Sequence, residues 1–173
     1  MLAADCSGPE SPLPYGAIQD VLDAALTPLR VEQLRHRVSP IWLAEAARIA
    51  PILARSFPAD VLAGTELPEE ESARRMRDAL TAVLIALSAN DPVALFVDDL
   101  QWADNGTLAV LEEVADRLAE HRLVLVLGYR GEEARDRPAV WERIRALDER
   151  AQPARVILEP LDPFSTGELV PPV

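Results

Sequence analysis

Three short apolar runs, PVALFVDDL from residue 92, LVLVLG from 123 and ARVILEPL from 154, are each preceded by a segment of helical periodicity. The runs are continuous rather than alternating, which suits parallel strands covered on both faces. Helix–strand–helix–strand–helix–strand predicts an α/β fold, a parallel sheet flanked by helices. In such sheets ligands bind beyond the carboxyl ends of the strands. Asp98 and Asp99 stand at that end of the strand expected at 93–98. Tyr129 and Arg130 stand at that end of the strand expected at 123–128, so the two pairs are expected to face one crevice.

The helices follow from apolar spacing. Tyr15, Ile18, Leu22, Ala25, Leu26 and Leu29 form one stripe over 14–29, and the polar VEQLRHRV follows as a connector. Ser39-Pro40 is a helix start; Trp42, Ala46 and Ile49 ride on that helix, and Pro51 should end or kink it. Residues 58–70 read as a loop. Met76, Leu80, Val83, Leu84 and Leu87 mark the clearest helix, over 69–89. Its acidic start, PEEES, is a solvated helix end that suits the dipole, with Arg74, Arg75 and Arg77 on the solvent side. Asp104 is placed to cap a helix over 105–121 with Leu108, Leu111, Val114, Ala115 and Leu118 inward. Pro138 opens another, with Trp141, Ile144 and Leu147 on one side.

With 173 residues, 49 % hydrophobic and 27 % charged, the composition is that of a folded domain. The formal net charge of −12 argues against direct nucleic-acid contact. No apolar run approaches the ~18 residues of a membrane span, and no signal peptide is visible, so a cytoplasmic location is expected. Cys6, the single cysteine, excludes an internal disulfide and is expected to be a buried small hydrophobe. His36 and His121 lack a partner at metal spacing and are expected at the surface. All 17 basic residues are arginines, so no lysine of this chain can serve a phosphate loop.

Two adjacent aspartates repel and lose hydration at a strand end, and a bound cation would remove the difficulty. Magnesium takes hard oxygen ligands, usually one or two carboxylates plus phosphates. A strand ending in Asp-Asp is the Walker B pattern. ALFVDDLQWAD, the following helix, LVLVLGYRGEE and ARVILEPL together resemble the ATPase domain of LuxR-type bacterial transcriptional regulators, AAA/STAND-class phosphate-loop NTPases. SPLPYGAIQDVLDAAL and WLAEAARIAPIL resemble that family's helical insert.

The resemblance implies magnesium and ATP as ligands. It makes Asp98 the magnesium-associated carboxylate and Asp99 the catalytic or water-orienting one. Arg130 falls at the polar sensor position near the γ-phosphate, and Trp102 in the nucleotide crevice. Other readings of these residues stay open: Asp99 capping the next turn with Asp98 hydrated, Arg130 a solvated or ion-paired strand end, Trp102 packed on the helix at 105–121. Gln101 and Asp104 belong to the signature without a defined role.

The family's GxxxxGK(S/T) loop, which wraps the phosphates, does not occur in this sequence. The expectation is a single partial ATPase domain over 1–173. It comprises about 7–90 as helical insert and connecting helices, 91–161 as the Walker B to final-strand core, and 162–173 as a truncated lid start. By resemblance the missing phosphate-loop strand would lie between 155–159 and 123–128. The expected function is a fragment of an ATP-hydrolysing regulatory switch domain, not catalytic alone. The alternatives are a non-catalytic remnant or interaction module, or a part complemented by another chain carrying the loop. No membrane partner is expected. Self-association through an exposed sheet edge is, because an unpaired apolar edge invites pairing.

Overall fold

The computed structural model describes residues 1–6, 13–56, 68–151 and 154–159. Strands β1 (Leu2–Asp5), β2 (Val93–Asp98) and β3 (Leu123–Leu127) form a parallel sheet in the order β1-β2-β3. Its register pairs Asp5 with Asp98 and Val97 with Leu127, so the carboxyl ends of all three strands lie level. Between β1 and β2 come α1 (Gly16–Ala25), α2 (Pro28–Arg35), α3 (Pro40–Ala46), α4 (Pro51–Ser56) and α5 (Glu69–Leu87). Between β2 and β3 lie a 3₁₀ turn (Leu100–Trp102), α6 (Asn105–Ala115) and a second 3₁₀ turn (Leu118–Glu120). After β3 come α7 (Gly131–Arg135) and α8 (Pro138–Ala151). The α/β class and the parallel sheet flanked by helices are as expected.

The packing follows the apolar stripes. Helix α5 buries Met76, Leu80, Val83 and Leu84, and packs against α3 and α6. Helix α6 buries Leu108, Leu111, Val114 and Ala115, and is capped by Asp104, as its sequence predicts. Helix α1 sends Ile18, Val21 and Leu22 into the same core. Buried Glu45 of α3 is ion-paired with Arg48 and with Arg75 at 3.6 Å. Arg75 therefore turns inward, unlike Arg74, because a buried carboxylate needs a counter-charge.

Several boundaries differ from expectation. The stripe over 14–29 breaks at Leu26, because Thr27 accepts from the Arg30 amide and caps α2, which takes in residues 31–35 of the supposed connector. Leu29 is consequently exposed. Helix α3 stops at Ala46, and Pro51 opens α4 instead of only ending its predecessor. Helix α6 stops at Ala115, six residues short of 121, and Leu118 lies in the following 3₁₀ turn. The short α7 was not anticipated.

The largest difference is ARVILEPL. Residues 154–159 form no regular element, and Val156, Ile157 and Leu158 are exposed. A strand exists only as part of a ladder, and this segment pairs with no strand among the described residues. Strand β3 is likewise an edge, with Val124 60 % and Val126 44 % exposed, so it is not covered on both faces. The remaining loop expectation over 57–67, and the lid expectation over 162–173, lie outside the described residues.

Candidate functional site at the carboxyl ends of the strands

Level strand ends bring three short segments together. The Cys6 amide donates to the Asp98 carbonyl at 3.0 Å, extending the β1–β2 ladder one residue. The Gly128 amide donates to the Val97 carbonyl at 2.8 Å, and the Leu100 amide to the Gly128 carbonyl at 2.9 Å. Asp98, Asp99 and Gly128–Arg130 therefore lie together at the carboxyl ends of β2 and β3, as the topology argument requires.

The aspartates are separated by backbone geometry. Asp99 adopts a left-handed conformation, φ 51° and ψ 39°, and the two carboxylates take different partners. Asp98 Oδ1 accepts a hydrogen bond from the Asp99 amide at 2.8 Å. Gly128 makes room for that carboxylate, since a Cβ there would fall 2.2 Å from Asp98 Oδ1. Asp99 Oδ1 accepts from Gln101 Nε2 at 2.9 Å and lies 3.7 Å from Arg130 Nε. It makes no side-chain cap on the 3₁₀ turn that it begins. Arg130 also donates from a terminal guanidinium nitrogen to Glu133 Oε1 at 3.1 Å.

Trp102 is half-buried, packed on the core, with the Arg137 guanidinium 5.3 Å from its ring centroid. Asp104 caps α6 through Oδ1, which accepts from the Gly106 and Thr107 amides at 2.8 and 3.0 Å; Oδ2 accepts from the Thr107 hydroxyl. His36 and His121 are exposed. Gln101 and Glu133 join the cluster without having been assigned roles. Gln101 sits in a three-residue turn, which has no periodicity to reveal its burial, and Glu133 sits in the unanticipated α7.

Cys6 is buried beside this acidic crevice. Burial, and then the charges of Asp104, Asp99, Asp5 and Asp98, push its thiol from 9.0 up to about 12. The neutral thiol therefore favours the fold, with full effect below pH 9.0, and that contribution is lost as pH rises towards 12. Between pH 8 and 11 the urea midpoint of the wild type is expected to fall more steeply than that of Cys6→Ser. Native protein at pH 8 should react with a thiol reagent far more slowly than urea-unfolded protein. Equal slopes and equal labelling rates would show an accessible, ordinary thiol.

Among the described residues no group of three or more His, Cys, Asp or Glu side chains could by itself hold a metal ion. The donor chemistry suits magnesium in its usual mode, in which phosphates and waters supply the other ligands. Asp98 offers a hard oxygen at a rigid strand end, with space kept open by Gly128. The protonated Cys6 thiol is no competing ligand.

A parallel α/β sheet with paired carboxylates at one strand end and an arginine at the next defines a partial phosphate-loop NTPase-like fold. The chain belongs to the AAA ATPase domain family, whose family model matches residues 2–127. That span includes all three strands and the Asp98–Asp104 segment, and ends just before Arg130. No curated protein and no solved structure matches the chain. No helix among the described residues is long and apolar enough to cross a membrane.

Proposed function

We propose that this chain is the Walker B part of an ATP-dependent regulatory switch domain of the LuxR-type regulators, with its phosphate loop supplied from outside these 173 residues. The observation that carries the reading is the convergence of Asp98, Asp99 and Arg130 on one crevice of an AAA-family sheet. In this reading Asp98 holds magnesium, Asp99 orients the attacking water, and Arg130 senses the γ-phosphate. Trp102 braces the crevice wall. ATP and magnesium are the family's general ligands, and bound magnesium would neutralise phosphate charge. Positioning and charge stabilisation are nearly all that a protein contributes to phosphoryl transfer. Without the backbone cradle and lysine of the loop, these residues are not catalytic alone.

Among the described residues no strand pairs with the outer side of β3, whose Val124 and Val126 are also exposed, and this supports a second reading in which this chain is an interaction module. There the edge receives a strand from another chain carrying the loop, or from a second copy of this one.

Thermal melts separate the readings. The 173 residues alone are expected to melt cooperatively with little response to magnesium-ATP. Fusing a strand–GxxxxGK(S/T)–helix unit to the chain is expected to create a magnesium-ATP-dependent rise in midpoint that Asp98→Ala abolishes. A rise in the unfused chain would show unaided nucleotide binding. No rise in the fused chain would sink the nucleotide reading and leave the interaction module.

A further inference from the structure

Gln101 is fully buried yet polar. Burying an amide costs free energy unless its groups are satisfied. Here they are, and by the site itself. Nε2 donates to Asp99 Oδ1 at 2.9 Å and to Glu133 Oε2 at 3.2 Å, while Oε1 accepts from the Arg130 amide at 3.0 Å. Both donor directions end on carboxylates and the acceptor meets an N–H, so the amide has one permissible orientation. The flipped form would aim its oxygen at two anions. The Gln101 backbone is held as well, since its carbonyl accepts from the Arg137 guanidinium at 2.5 Å.

One side chain thus fixes three things: the Asp99 carboxylate after β2, the Arg130 peptide after β3, and Glu133 on α7. Arg130 closes the ring by lying 3.7 Å from Asp99 and 3.1 Å from Glu133. A guanidinium is aimed by its own backbone as much as by its partners, and Gln101 sets that backbone. The amide at the centre is buried while Arg130, Asp99 and Glu133 reach solvent, so the arrangement is held from the Gln101 side.

We infer that Gln101 is the positioning residue of this crevice: it sets the distance between the Asp99 carboxylate and the Arg130 guanidinium, and so couples the β2 end to the β3 end. The inference rests on the nucleotide-site reading of the same crevice for its purpose, but its physical content is testable without nucleotide.

The test is amide hydrogen exchange by NMR on the full 173-residue chain, followed by a magnesium titration of the loop-fused chain in the presence of ATP. In the wild type the Arg130 amide is expected to be protected, although it precedes a short helix and lies outside the sheet ladder. Gln101→Met keeps the volume and removes the acceptor, so Arg130 protection should fall several-fold, the size set by losing one hydrogen bond, while Leu95 and Val97 of β2 keep theirs. Gln101→Glu keeps the acceptor for the Arg130 amide but sets its second oxygen against Asp99 and Glu133, so it should retain more Arg130 protection than Gln101→Met while displacing both carboxylates. In the magnesium titration, the concentration that shifts the Asp98 and Asp99 amides should rise about tenfold in Gln101→Met.

An Arg130 amide that exchanges freely in the wild type overturns the inference, whatever the variants do. So does unchanged protection in Gln101→Met, and so does a uniform loss across β2, which would make Gln101 a structural stitch only. A loop-fused wild type that ignores magnesium in the presence of ATP would remove the metal-site reading, and the exchange pattern would still decide Gln101.

Discussion

Leu80→Ala is expected to lower the free energy of unfolding by about 2–5 kcal/mol, seen as a lower urea midpoint with an unchanged slope. Leu80 is fully buried at the centre of α5, the helix that packs against both α3 and α6. Truncation removes the transfer free energy of three carbons and leaves a cavity between elements that cannot both close on it. A domain of this size has a total stability of only about 5–15 kcal/mol, so the loss is a large share. Arg74→Ala, on the exposed face of the same helix, is the control and should stay within about 0.5 kcal/mol. If Leu80→Ala matched that control, α5 would not be part of the core.

Gly128→Val is the second large effect, and it acts on both fold and site. An added Cβ would lie 2.2 Å from Asp98 Oδ1 and 3.0 Å from its Cγ. The carboxylate must swing away, breaking its bond from the Asp99 amide, and the branched side chain then crowds the strand end. Overpacking of this kind costs about 1–3 kcal/mol. Asp98 displaced in this way should also fail to support the magnesium-ATP response of the loop-fused chain. Gly128→Ala, with one carbon, should leave the melt cooperative but remove the same response. Retention of the response in both variants would show that Asp98 is not the magnesium carboxylate.

What the sequence made legible was what local spacing controls. The stripes of α5 and α6 follow from burial of one helix face, and the apolar runs marked β2 and β3 as strands, although β3 is open on one face. The crevice followed because parallel topology alone brings Asp98 and Arg130 to one end. The run at 154–159 looked equally strand-like, but a strand exists only with a neighbour, and pairing is a property of the whole sheet. Thr27-Pro28 was readable as a helix start, yet the uninterrupted apolar spacing through Leu29 masked it. Gln101 stood out as part of the signature, but its role could not be read: it depends on Arg130 and Glu133, about thirty residues away after β3.

The left-handed backbone at Asp99 bears on how this position can change over evolutionary time. Left-handed φ is tolerated by aspartate, asparagine and glycine far better than by longer or branched side chains. Glutamate, the acid more often given the water-orienting role, would have to be accommodated by a backbone that does not welcome it. The choice of acid at residue 99 is therefore made by the chain's turn before chemistry is consulted. Asparagine is the easiest neighbour to reach, so a lineage of such chains can discard the charge here without disturbing the turn. Acquiring the longer acid would require the turn itself to be rebuilt.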